Sequence, residues 1–150
     1  MLEEQIIRYT EEQLPEIKSI FFLNVPKYFA KKEWDDFTEY LKLHSTTYFL
    51  AKNENKMIGC GGYHKSTPDT ARLSWDFIHP EFKGKGIGRK MISHCIEEIR
   101  KDPDIHNIEV WTSQHAYQFY AKFGLETYHI EEHYWEKNLH LYKMKSRKEF

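Results

Sequence analysis

The sequence predicts a mixed α/β (α+β) fold in one domain over residues 1–150, on three observations. Apolar residues recur at helical spacing in three segments, with shorter alternating or continuous apolar runs around them. Some of those runs are separated only by short polar turns and others by whole helices, which calls for a mixed sheet flanked by helices. A chain of 150 residues also suffices to bury roughly 70% of its unfolded surface around one core.

The elements follow in order. "IIRYT" is a short strand candidate. Thr10 then offers a helix N-cap with Gln13 in the capping-box position, and Leu14, Ile17 and Phe21 continue at helical spacing. Pro15 is tolerated because it falls near the first turn. "NVPKYFA" breaks this helix, and a second runs from about Lys31 to Leu43 with Trp34, Phe37 and Leu41 on one side. "TTYFLAK" and "KMIGCGGYH" flank "NEN" as a strand pair, and "ARLSWDFI" is a third strand before Pro80. Ile87, Met91, Ile92, Cys95, Ile96 and Ile99 then form one apolar helical stripe that "DPD" ends at Asp102–Asp104. "IEVWT" reads as a buried strand, and "HAYQFYAKF" as a short helix stopped by Gly124. Strands near Thr127–Trp135 and His140–Lys145 complete the chain.

Composition excludes several functions. Twenty-two Lys and Arg against 23 Asp and Glu leave no global charge for nucleic acid. No apolar run reaches the ~20 residues of a membrane span, and "MLEEQIIRYT" lacks the sections of a signal peptide. Cys60 and Cys95 make neither a disulfide framework nor a zinc site, so a cytoplasmic protein with reduced thiols and no metal is expected. Aromatic residues, at 16%, are expected mostly in the core.

The chemistry concentrates in "EFKGKGIGRKM", residues 81–91, between a strand and the striped helix. A helix start carries unpaired N–H groups and partial positive charge, and glycines let an anion approach the backbone closely. Lys83, Lys85, Arg89 and Lys90 add charge at the same point, which suits a diphosphate. The P-loop pattern GxxxxGK[ST] is absent. A dinucleotide fingerprint is the alternative, but Arg89 stands at its last glycine, and Glu109, at the spacing of its acidic partner, sits inside "IEVWT".

"FIHPEFKGKGIGRKMI" resembles motif A of the GNAT acetyltransferases, [R/Q]xxGx[G/A], and "SQHAYQFYAKFGL" resembles their motif B, NxxAxxFYxKxGF, about 30 residues on. The resemblance covers nearly the whole chain. It implies the single-domain acyl-CoA N-acyltransferase fold with a mostly antiparallel central sheet, acetyl-CoA as cosubstrate, and transfer of acetyl to a primary amine of a small molecule or peptide. By residue, it assigns the diphosphate to Lys83, Gly84, Lys85, Gly86, Ile87, Gly88 and Arg89, and pairing with the pantetheine arm to Phe77 and Ile78. Motif B adds Ser113, Ala116, Phe119 and Lys122 to the cofactor side. Lys83 departs from the motif's Arg or Gln, and Ser113 from its Asn. Family members often form dimers.

For the chemistry, the resemblance assigns Tyr120, the tyrosine of the "FY" pair, to protonate the departing thiolate, which a phenol with a pKa of about 10 can do. Alternation in "LSWDFI" puts Ser74, Asp76 and Ile78 on one face, with Trp75 and Phe77 on the other. Family members often place a catalytic carboxylate or held water on this strand, so the resemblance makes Asp76 the candidate general base, with His115, His133 or ordered water as alternatives. A carboxylate ion-paired to a neighbouring strand is the structural reading of Asp76, and Cys95 belongs to the core. The resemblance places the acceptor near "NVPKYFAKKEWDD" and "EEHYWEKN", where acids and rings together suit a cationic amine; a solvated charged loop over core aromatics is the alternative reading of both. A non-catalytic acyl-CoA-binding module is the competing reading.

Overall fold

The computed structural model describes residues 4–147. Its strands are β1 (Gln5–Arg8), β2 (Tyr48–Asn53), β3 (Lys56–Thr67), β4 (Thr70–Ile78), β5 (Asn107–Thr112), β6 (Leu125–Glu136) and β7 (Leu139–Ser146). Its α-helices are α1 (Leu14–Leu23), α2 (Glu33–His44), α3 (Ile87–Arg100) and α4 (Tyr117–Ala121).

Local chemistry accounts for these elements. The Gln13 side chain accepts the Thr10 N–H at 2.7 Å, so the expected capping box forms, over a 3-10 turn that leads into α1. β2 and β3 are joined by Glu54 and Asn55 alone, both at positive φ, the backbone sign that a two-residue hairpin of right-handed twist requires. α3 buries Ile87, Met91, Ile92, Cys95 and Ile99, the stripe read from the sequence. Cys95 is fully enclosed in that core.

The seven strands form one sheet in the order β1-β2-β3-β4-β5-β7-β6. All neighbours are antiparallel except β4 and β5. α3 covers one face over Leu73, Ile58 and Val110, and α1 and α2 cover the other over Leu50, Met57 and Phe77. The second core is largely aromatic: Phe21 stacks on Phe29 and Phe37 and meets Trp34 and Phe77 edge-on.

Two irregularities in β4 create the space for function. β4 pairs with β5 only from Thr70 to Leu73, opposite Asn107 to Val110. Beyond that point the two strands part, leaving an open edge along the rest of β4. The second irregularity is a bulge, where Trp75 and Asp76 together face the single residue Gly61 of β3. Trp75 takes φ of 56°, unusual for a bulky side chain, and the Tyr48 hydroxyl donates to its carbonyl at 2.7 Å.

The bulge reverses the alternation expected from the sequence. Leu73 and Phe77, four residues apart, lie in opposite cores. Asp76 and Ile78 share the α3 face and Trp75 and Phe77 the other, as expected. Ser74 does not join Asp76: it lies across the sheet, its hydroxyl 3.1 Å from His64 Nδ1.

Candidate active site

Two cavities open where β4 and β5 part. One, of about 690 Å³, is a channel running from the glycine loop along the free edge of β4. The other, of about 430 Å³, is a chamber between α2, the ends of β4 and β5, and β6. Tyr28, Asp76, Ala116 and Tyr120 line both, so the cavities meet at these four residues.

The channel begins at α3. Gly86 precedes the helix in the left-handed region with φ of 83°, and no side chain caps the helix start. The first turn holds no acidic residue. Its leading N–H groups therefore lack intrahelical partners and face whatever enters. A Cβ at Gly84 or Gly86 would meet no atom within 4 Å, so the loop borders open space. This cradle fits a diphosphate on geometry as well as on charge.

Phe77, Ile78, Lys83, Gly84 and Gly86 line the channel, as do Ile87, Gly88 and Arg89. Ala116, Phe119 and Lys122 close it from the α4 side. Lys85 lies outside it, its Nζ 5.2 Å above the Phe82 ring. Ser113 lines the chamber instead, its Oγ accepting the His115 N–H at 3.2 Å. The Lys83 ammonium sits 3.4 Å above the Tyr28 ring at the channel wall.

Strand parity decides which backbone groups reach the channel. His79 N–H bonds the Ile58 carbonyl at 2.8 Å, so Ile78 turns its own N–H and C=O away from β3, onto the open edge. Phe77 turns its backbone groups toward Cys60. Of the two residues expected to pair with an extended ligand, Ile78 alone offers backbone groups to it. The Ile78 carbonyl already accepts from Asn24 Nδ2 at 3.1 Å. Asn24, buried at the end of α1, was invisible as a site residue in the sequence; its only signal was an Asn at a helix end before Val-Pro.

At the junction, the Tyr120 hydroxyl and Asp76 Oδ2 are hydrogen-bonded at 3.1 Å. Among the described residues, Asp76 Oδ1 is buried with no well-formed hydrogen bond. Burial raises the Asp76 carboxyl well above the usual range, outweighing the Tyr120 and Gly62 contacts that lower it. Burial likewise raises Tyr120, with the Asp76 charge adding to it. A Cβ on Gly61 would come within 1.9 Å of Asp76 Oδ1, so any side chain at this position of β3 would displace the carboxyl from its present place.

The chamber is aromatic and acidic. Trp75, Tyr40, Trp111 and Trp135 supply rings, and Glu33, Asp36 and Glu39 line one side of α2. Its one arginine, Arg72, is engaged by Glu109 at 3.0 Å and stacks on Trp111. Burial, with His44 and Arg72 nearby, lowers His64 to about 4, so it is neutral at pH 7. Among the described residues, Tyr40 Oη and Trp111 Nε1 are buried without a well-formed hydrogen bond, and both residues line this chamber. His115 borders the channel, and burial lowers its pKa. His133 lies on exposed β6, where its Nδ1 accepts the Asn138 N–H at 2.8 Å and holds the β6–β7 turn, away from both cavities.

Burial lifts Glu33 to about 7, although the Ala30 N–H donates to it at 2.7 Å. Its folded pKa thus exceeds the unfolded 4.5, so its stabilising contribution is complete below 4.5 and is lost as pH rises through 7. Glu33→Gln keeps an acceptor for Ala30 and removes that loss. Urea denaturation is expected to show the variant gaining on the parent between pH 5 and 8, by about 2 kcal/mol.

An anion-ready channel that meets a smaller aromatic and acidic chamber at a buried phenol suits a class: proteins that pass a group from a phosphate-bearing carrier to a second molecule. The chain belongs to the acetyltransferase (GNAT) family, whose family model matches residues 12–125. It is 30% identical over 82 residues to an uncharacterized N-acetyltransferase of Gracilaria tenuistipitata var. liui, covering 53% of this chain and 43% of that protein. The matches span less than half the length of the curated relatives. Among solved structures, Ard1 from Thermoplasma volcanium superposes with a TM-score of 0.81 at 12% identity, over 95% of both chains. Arabidopsis thaliana Naa50, in complex with the bisubstrate analogue CoA-Ac-MVNAL, gives 0.74 at 16% identity, over 95% of this chain and 97% of that one. The family's cosubstrate is acetyl-CoA.

Proposed function

We propose that this protein transfers acetyl from acetyl-CoA to a primary amine by direct attack, with both substrates bound at once. The observation that carries this reading is the meeting of two cavities at Tyr120 and Asp76. Acetyl-CoA supplies the activated thioester. The loop of Gly84–Arg89 and the start of α3 hold its diphosphate, and the Ile78 N–H pairs with its arm.

The acceptor enters through the chamber. An alkyl amine of pKa near 10.4 costs roughly 4–5 kcal/mol to deprotonate at pH 7. Glu33, Asp36 and Glu39 draw the cation in and help its proton leave. Tyr120 stands at the junction, where a thiolate would depart, and acts as the acid. A small amine and a peptide terminus are both acceptors of this class, and Naa50's bound analogue ends in a peptide.

Titration calorimetry with CoA, followed by thiol release with acetyl-CoA and an amine panel, tests the reading. It expects CoA binding and amine-dependent release; a chain that binds no CoA sinks it. Lys83→Ala removes a cation from the channel wall. It is expected to weaken CoA about 3–10-fold by calorimetry, with turnover at saturating acetyl-CoA retained.

A further inference from the structure

Asp76 was expected to take a proton from the amine, but its surroundings suit the opposite task. From α4 it faces Tyr120, and from α3 the Cys95 thiol. From β3 it faces Cys60 and the Cα of Gly61. Tyr40 of α2 and Tyr48 of β2 are the remaining titratable groups near enough to feel its charge. None of these is a cation. A buried carboxyl with no cation beside it is held neutral. Tyr120 donates to Oδ2 in the structure, but a neutral carboxyl is itself a donor, so the bond can reverse, the carboxyl O–H pointing at Tyr120 Oη and the phenolic O–H turning into the channel.

Resting on the acetyl-transfer reading above, we propose that Asp76 is the proton reserve behind Tyr120, a positioning residue that acts through the phenol on the donor side of the reaction. Tyr120 gives its phenolic proton to the departing thiolate of CoA, forming S–H and leaving a phenolate. Asp76 passes its carboxyl proton to that phenolate, restoring the phenol and becoming a carboxylate. The carboxylate regains a proton from water once the products leave. Each transfer moves one proton between oxygen or sulfur atoms, and no further reagent is needed.

Three structural features serve this arrangement. The bulge at Trp75 turns Asp76 onto the face of Tyr120; unbroken alternation would have put it with Ser74 across the sheet. Gly61 leaves room that any side chain would fill. Among the described residues Oδ1 has no well-formed hydrogen bond, and burial outweighs the Gly62 backbone and Tyr120 contacts that favour the ionised form.

The test compares the parent, Asp76→Asn and Tyr120→Phe as full chains. Asn keeps a donor toward Tyr120 Oη but has no proton to pass on. Asp76→Asn is expected to lower kcat about 10-fold, with the KM for acetyl-CoA within about twofold of the parent. The alkaline limb of the kcat profile should move to higher pH, because it then reports Tyr120 alone. A proton inventory in mixed H₂O and D₂O should change from curved to linear. The variant should be at least as heat-stable as the parent at pH 8, since it lacks a buried ionisable carboxyl.

Parent-like kcat in Asp76→Asn, or a lowered kcat with an unmoved alkaline limb, overturns the relay while leaving acetyl transfer intact. Unchanged turnover in Tyr120→Phe instead removes the acid from the proposed function itself, so the two failures are distinguishable.

Discussion

Tyr120→Phe is expected to lower kcat about 10²–10³-fold while CoA binds with parent affinity. The ring is 6% exposed and packs edge-on against Phe119 at 5.1 Å, so phenylalanine fills the same space and only the hydroxyl is lost. That hydroxyl makes a single hydrogen bond, to Asp76, and stands where the two cavities meet. The cradle proposed for the diphosphate lies apart from this ring, at the glycine loop and the start of α3, and is untouched. Steady-state kinetics with saturating acetyl-CoA and calorimetry with CoA separate the two effects. A non-catalytic acyl-CoA-binding module would show parent behaviour in both measurements.

Gly86→Val is expected to weaken CoA about 10–100-fold, with the fold retained. Gly86 sits at φ of 83°, where a β-branched residue is strained by about 1–2 kcal/mol. Relief of that strain would turn the peptide groups that open α3 and misdirect their N–H groups. The new side chain would also stand in the open space bordering the loop, keeping an anion off the backbone. Calorimetry with CoA measures the loss, and circular dichroism checks that α3 remains. Parent affinity in this variant would mean that the diphosphate does not rest on this helix start.

Much of this molecule was legible because its signals are local. The α3 stripe, the Thr10–Gln13 cap and the two-residue turn at Glu54–Asn55 each depend on residues within a few positions of one another. The glycine loop is local too, and the backbone N–H groups of a helix start need no distant partner to be recognised. Other features were not legible because they depend on pairing across the chain. Asn24 reaches Ile78, 54 residues on. Lys85, one of four basic residues in the loop, lies over the Phe82 ring and does not itself line the channel. Ser113 lines the chamber rather than the channel through the path of the chain into α4.

The sequence by itself determined the sheet-and-helix order, the apolar face of each helix and an anion-ready loop at the start of α3, since periodicity, capping and glycine chemistry act over one or two turns. Only the tertiary structure decided the junction. Whether Asp76 meets Tyr120 or lies across the sheet depends on one extra residue in the pairing of β4 with β3, where Gly61 leaves room beside the Asp76 carboxyl and Tyr48 holds the Trp75 carbonyl. A strand alternates by two, so a single unpaired residue exchanges its faces. No pattern within "LSWDFI" carries that information.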